Sequence, residues 1–170
     1  MRQLDKGANA ADLALSIGPG LAKAAVAAVV NGDTVDLGRE LPDGAAVALL
    51  TKRDEAALEV LRHSAAHLMA DAILRVFPQA QLTIGPVVED GFYYDLYMPE
   101  GKITPDDFAV IETEMARIAE QALPFERCAA AYDEANEHYA RYRAIDGGHN
   151  AFKQEICLLY TSDAADDTCC

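Results

Sequence analysis

From residue 54 onward, apolar residues return at steps of three and four: Leu58, Leu61, Ala65, Leu68, Ala72 and Val76. That spacing keeps side chains on one face of a 3.6-residue helix, and it predicts a helix over 54–76 with this stripe as its core face. Asp54 stands where an N-cap belongs, Glu55 suits the positive end of the helix dipole, and Pro78 stops the run. Ser64, Asp71 and Arg75 form a narrow polar edge, while almost everything else from Ala65 onward is apolar, so the helix should be enclosed on most sides. His63 and His67 stand one turn apart, about 40° from each other on the helical wheel, at the border between the apolar arc and the polar edge.

The stretches on either side follow other periods. Residues 1–52 predict a small α+β module. It opens with a short helix over 10–17 capped by Asn9, then has a Gly-Pro-Gly break and a second helical turn. AVAAVV reads as a buried strand, Asn31-Gly32 as a hairpin turn, TVDL as its return, and AAVALLT as a last strand. One helix across a mixed sheet of this size is the ubiquitin-like β-grasp pattern, whose opening strand would have to lie before Met1.

After the central helix, QLTIGPVVEDGFYYDLYM predicts two strands joined around Glu89-Asp90-Gly91-Phe92, with Phe92, Tyr94 and Leu96 on one face and Tyr93, Asp95 and Tyr97 on the other. So dense a run of tyrosines suits a pocket wall, and equally a half-exposed sheet. Thr104 then caps a helix with Pro105 at its first position and Phe108, Ile111, Met115, Ile118 and Ala122 as its stripe. FERCAAAY is another strand, 133–143 another helix and AFKQEI a last strand. The fold class is α+β.

Composition narrows the function classes. At 170 residues and 51% hydrophobic, the chain can bury one or two modest cores. MRQLDKGANA has no apolar h-region and no apolar run approaches the roughly 20 residues of a membrane span, so the expected compartment is the cytosol. A net charge of −14 argues against this chain alone as a tight nucleic-acid binder, because neutralising phosphates takes clustered Lys and Arg. Cys128 stands alone, and Cys157, Cys169 and Cys170 all fall in CLLYTSDAADDTCC, which has no helical or strand period. Residues 157–170 resemble a translated sequencing-adapter tail and are set aside from the fold.

Two imidazoles at i and i+4 can converge on one ion or one substrate atom, although the same spacing also occurs between ordinary packing residues. The zinc-protease form is excluded, since it needs Glu after the first His and the chain has Ser64. His138 and His149 have no partner at ligand spacing and read as surface.

RHSAAHL followed by AQLTIGPVVEDGFYYDL resembles the bacterial threonyl-tRNA synthetase family, class II aminoacyl-tRNA ligases, in its N-terminal part. The resemblance covers residues 1–156: a TGS domain at 1–52, carried by LALSIGPGLAKAAVAAVVNGDTVDL, then a truncated editing domain at 53–156. TGS modules also occur in GTPases and stringent-response enzymes, and HxxxH domains in alanyl-tRNA synthetases and free-standing editing proteins; the ordered pair resembles the threonyl family alone. It implies a cytoplasmic, homodimeric parent that attaches threonine to its tRNA using ATP. ATP, Mg and Zn would be held in an aminoacylation domain that this chain lacks, so no aminoacylation site is expected here.

The implied partner is the tRNA for threonine, mischarged with serine when it enters the editing site. His63 and His67 match the first half of the editing motif, Tyr94 an aromatic of its pocket, and Lys153 the pocket lysine. The resemblance makes His63 and Lys153 catalytic, ordering or activating water, and gives His67 and Tyr94 the placing of the ribose and aminoacyl group. The second half of the motif, Cys-x-x-x-His, is absent: neither Cys128 nor Cys157 has a His at that spacing. Related domains bind zinc through both halves, whereas the threonyl type can work without it, so a metal at His63 and His67 is left open. Two other expectations stand beside this one, a free-standing tRNA-editing hydrolase and a non-catalytic tRNA-binding appendage.

Overall fold

The computed structural model describes residues 2–123 and, singly, 131 and 134. The expected strand FERCAAAY, the helix over 133–143, the strand AFKQEI and the tail lie outside these residues. Contacts divide the chain into one unit ending at Arg62 and another beginning at His63.

The first unit starts with α1 (Ala10–Ile17), whose end is closed reciprocally: the Asp12 N–H donates to Asn9 Oδ1 at 2.9 Å and the Asn9 N–H to Asp12 Oδ2 at 3.0 Å. This is the capping arrangement in which two otherwise orphan donors are satisfied at once. A short helix α2 (Pro19–Ala24) leads into β1 (Ala25–Val30), the central strand of the order β2-β1-β3, with β2 at Asp33–Val35 and β3 at Val47–Thr51. Both pairings are antiparallel. The expected mixed sheet is therefore corrected: among the described residues no parallel pair occurs.

β1 is covered on both faces, which is why AVAAVV does not alternate. Ala28 and Val30 pack with Ala10 of α1, whereas Ala27 packs with Leu50 and Ala57. Val30 pairs with Asp33, leaving Asn31-Gly32 as a two-residue loop with φ of 55° and 105°. Positive φ at both positions is the type I′ turn, whose twist matches that of the flanking strands. Asn31 also ties the turn to the chain entering β3, since its side-chain oxygen accepts from the Ala46 N–H and its own N–H donates to the Ala46 carbonyl, both at 2.9 Å. Asn31→Ala should destabilise this unit by about 1–2 kcal/mol, the cost of a left-handed backbone at a residue that disfavours it, together with the lost bond. Asn31→Gly should recover most of it. Urea melts of the three chains would test this, and equal losses for Ala and Gly would refute the backbone account.

The central helix, α3, runs Glu55–Val76, with the predicted ends. Asp54 precedes it as expected, but its carboxylate reaches back, accepting from the Thr51 N–H at 2.7 Å and the Thr51 hydroxyl at 2.8 Å. These bonds, the backbone one foremost, hold the Asp54 carboxyl below its ordinary range. The expected core stripe is corrected. The buried positions are Ala57, Ala66, Ala70, Ala72, Ile73 and Leu74, while Leu58 is 42% exposed. Of the six stripe residues only Ala72 is fully buried. The buried face is centred on Ala70, Ile73 and Leu74, which pack in one cluster, with Leu68 partly buried at its margin.

In the second unit, α3 is followed by an irregular hairpin. β4 (Gln81–Leu82) pairs with β7 (Leu96–Tyr97), and β5 (Val87–Val88) with β6 (Gly91–Phe92). Between these pairs, residues 83–86 face only 93–95, one residue fewer. The Thr83 N–H donates to the Asp95 carbonyl and the Asp95 N–H to the Ile84 carbonyl, so Thr83 and Ile84 together oppose Asp95. That is a β-bulge, which bends a strand and re-aims its side chains. The predicted alternation is nonetheless observed: Phe92, Tyr94 and Leu96 are half-buried, and Tyr93, Asp95 and Tyr97 exposed.

A 3₁₀ turn at Pro105–Asp107 then opens α4 (Phe108–Glu120). The Thr104 N–H and hydroxyl both donate to Asp107 Oδ2, at 2.8 and 2.9 Å, the same Thr-x-x-Asp device used before α3. Ile111 and Ile118 are buried and join Ala70, Ala72, Ile73, Leu74, Ala80 and Leu82 in the core of this unit, with Met115 packed beside them. The ends of the predicted stripe are corrected: Phe108 is 52% exposed, and Ala122 lies past the helix at φ 47°.

Candidate functional site

His63 and His67 project from α3 just before its most buried positions, Ala70, Ala72, Ile73 and Leu74. One helical turn brings their rings into contact: Nε2 to Nε2 is 2.9 Å, and the ring centroids are 4.6 Å apart at 60°. Two imidazole nitrogens at this distance share one proton, one donating an N–H and the other offering a lone pair. Both residues are half-buried, and Ser64 between them is exposed. The sequence pair is thus also a chemical pair.

Tyr94 lies on the hairpin beside Asp95, the residue opposite the bulge, and packs against the core cluster that contains Ala70, Ala72, Ile73 and Leu74. Lys153 falls outside the described residues. Its grouping with the others therefore rests on the sequence resemblance.

Tetrahedral zinc takes three or four ligands, with Zn–N of about 2.0–2.1 Å. Among the described residues no group of three His, Cys, Asp or Glu could hold a metal ion, and the two facing nitrogens are bonded to each other. These residues do not by themselves fit a zinc centre.

One turn further along α3, Asp71 and Arg75 form a two-point ion pair at 2.7 and 3.1 Å, and Arg75 reaches Glu114 of α4 at 3.5 Å. Glu114 is in turn held by Arg117 at 2.6 and 2.8 Å. Two acids and two bases leave this network neutral, so it is a brace between α3 and α4 and not a grip for phosphate. The sequence placed Asp71 and Arg75 on a polar edge; Glu114 and Arg117 were not singled out, and their i, i+3 spacing was the available signal.

Arg117, by hydrogen bond and charge, holds the Glu114 carboxyl below its ordinary range despite opposing desolvation. A carboxyl lowered in the folded state lends stability that is complete above its unfolded value and disappears as pH falls through the lower folded value. Acid should therefore loosen α4 from α3, and Arg117→Met should flatten that dependence in the acid range. Amide exchange of α4 against pH would show it, and an unchanged profile in the variant would exclude Arg117 as the cause.

An apolar recess of about 720 Å³ opens in the same unit, lined by Met69, Ile73, Leu96, Met98, Ile111 and Met115 among others. Neither histidine nor Tyr94 lines it. No described helix is long and apolar enough to cross a membrane.

These features define a class: an α+β chain that begins with a ubiquitin-like module, and residues 1–51 match the TGS domain family. More particularly, over most of its length the chain matches the N-terminal region of threonine--tRNA ligases at 40–50% identity. The Methylococcus capsulatus enzyme is 42% identical over 99% of this chain and 27% of its own length. The Maricaulis maris enzyme is 46% identical over 81% of this chain and 22% of its own length. The Magnetococcus marinus enzyme is 50% identical over 75% and 19%. The chain thus spans about a fifth to a quarter of the length of the curated relatives it matches.

Proposed function

We propose that this chain carries the TGS domain, at 1–52, and the first part of the editing domain, at 53–156, of a threonine--tRNA ligase, with 157–170 foreign to both. The whole protein would be a cytoplasmic homodimer that joins threonine to its tRNA using ATP, with ATP, Mg and Zn held beyond these residues. The observation that carries the editing assignment is the bonded His63–His67 pair, set in a stretch that matches those ligases.

The physical need is a specificity limit. Serine and threonine share a hydroxyl and differ by one methyl group, worth roughly 1–3 kcal/mol in a pocket, too little to exclude the smaller amino acid at the synthetic site. A second site must hydrolyse what passes. Without substrate, the two Nε2 atoms satisfy each other. When the ester enters, that single bond is exchanged for two: His67 to the ribose, and His63, with Lys153, to the attacking water as general base. Tyr94 flanks the aminoacyl group. No metal is assigned to the pair. The deciding experiment is release of labelled serine from mischarged tRNA, and a completed protein indifferent to His63→Ala would refute the assignment.

A further inference from the structure

We propose that Gly85 is a positioning residue for Tyr94, and hence for the aminoacyl group that Tyr94 would contact. This rests on the editing function proposed above. A Cβ at Gly85 would fall within 2.5 Å of Tyr94 Cδ2 and Cε2, and 3.0 Å from Cγ. Those distances put the point out of the ring plane, over the Cδ2–Cε2 edge, so that side of the phenol lies on the bare backbone of residue 85. Real Cβ atoms essentially never approach other atoms so closely, and here the ring itself would have to move.

The backbone explains why the contact falls at this position. The bulge at Thr83-Ile84 shifts the register by one, so that Gly85 comes opposite Tyr94. A glycine in a strand commonly marks such a close approach. Pro86 follows, with no N–H to offer the ladder, yet its carbonyl accepts from the Tyr93 N–H at 3.4 Å and so secures the strand on the far side of the contact. The ring is also packed against the core cluster of this unit. Contact with Gly85 and packing against the core together restrict where the Tyr94 ring can sit. No other described glycine has a ring against it: the remainder meet nothing, or a single carboxylate oxygen at 3.1 Å or more.

The geometry has a spectroscopic signature that needs no substrate. In the 170-residue chain, one Gly85 Hα should resonate upfield of ordinary glycine positions, shielded by the ring above it, and Tyr94→Leu should abolish the shift while α4 amides stay in place. An unshifted Gly85 Hα would overturn the proposal at once.

The functional arm uses the chain continued through the Cys-x-x-x-His, with Gly85→Ala, Tyr94→Ala and the double variant, assayed for seryl-tRNA hydrolysis. Gly85→Ala should lower kcat/KM about 10- to 100-fold, the scale of misplacing a contact by an ångström. The double variant should be no worse than Tyr94→Ala alone, because the alanine then has no ring to displace. Multiplying losses would overturn the role of Gly85 while leaving the editing site standing. A silent Tyr94→Ala in an active enzyme would overturn both this proposal and the place of Tyr94 in the site. If Gly85→Ala alone fails to fold, a folded and Tyr94→Ala-like double variant still supports the proposal, and a double variant that fails to fold overturns it.

Discussion

Serine should leave seryl-tRNA no faster with the 170-residue chain than in buffer, and hydrolysis should appear once the chain is continued through a Cys-x-x-x-His. An ester is cleaved by groups that converge on it from more than one side, and the described residues supply one bonded imidazole pair on α3 and one ring on the hairpin. In the continued protein, His63→Ala and Lys153→Ala should each reduce the rate by about 10²- to 10⁴-fold, typical of losing a general acid or base. Cys128→Ala should leave it unchanged, since that cysteine belongs to no part of the motif. Labelled-serine release by the original chain, the continued protein and the three variants decides the matter. Fast turnover by the original chain would show that the site lies elsewhere.

The second large effect concerns stability. Ile73→Ala should destabilise the second unit by about 2–5 kcal/mol, whereas Leu58→Ala should change the stability of the first by no more than about 0.5 kcal/mol. Ile73 is 3% exposed and packs from α3 into the cluster it forms with hairpin and α4 residues, so truncation removes buried surface and leaves a cavity. Leu58 is 42% exposed and already in contact with water. Hydrogen exchange of amides in α4 for Ile73, and in β1 for Leu58, reads each unit separately. Equal losses would restore Leu58 to the core and refute the packed face described here. The contrast matters for the site, because the face that buries Ala66, Ala70 and Ile73 also determines how His63 and His67 meet their surroundings.

What the sequence determined by itself is what depends on neighbours within a few residues. The ends of α3 were legible from Glu55 and Pro78, the type I′ turn from Asn31-Gly32, the cap of α1 from Asn9, and the start of the turn that opens α4 from Thr104. Each is settled by a bond or a steric limit spanning two to four positions. The alternation from Phe92 to Tyr97 was legible for the same reason, since successive strand side chains point to opposite faces whatever lies beyond them. The closeness of His63 and His67 also follows from one helical turn. The resemblance supplied the functional reading proposed above, which composition left nearly open.

Only the tertiary structure decided which residues each face is packed against. Periodicity finds an apolar arc, but the arc on α3 is wide, and its buried centre was selected by the hairpin and α4 residues that pack against Ala70, Ile73 and Leu74. The pairing of β1 with β3, the bulge that brings Gly85 under Tyr94, and the ion pair between Arg75 and Glu114 join positions 9 to 39 residues apart. No short-range rule relates such positions, because the energy that holds them together exists only after the chain has closed the loops between them.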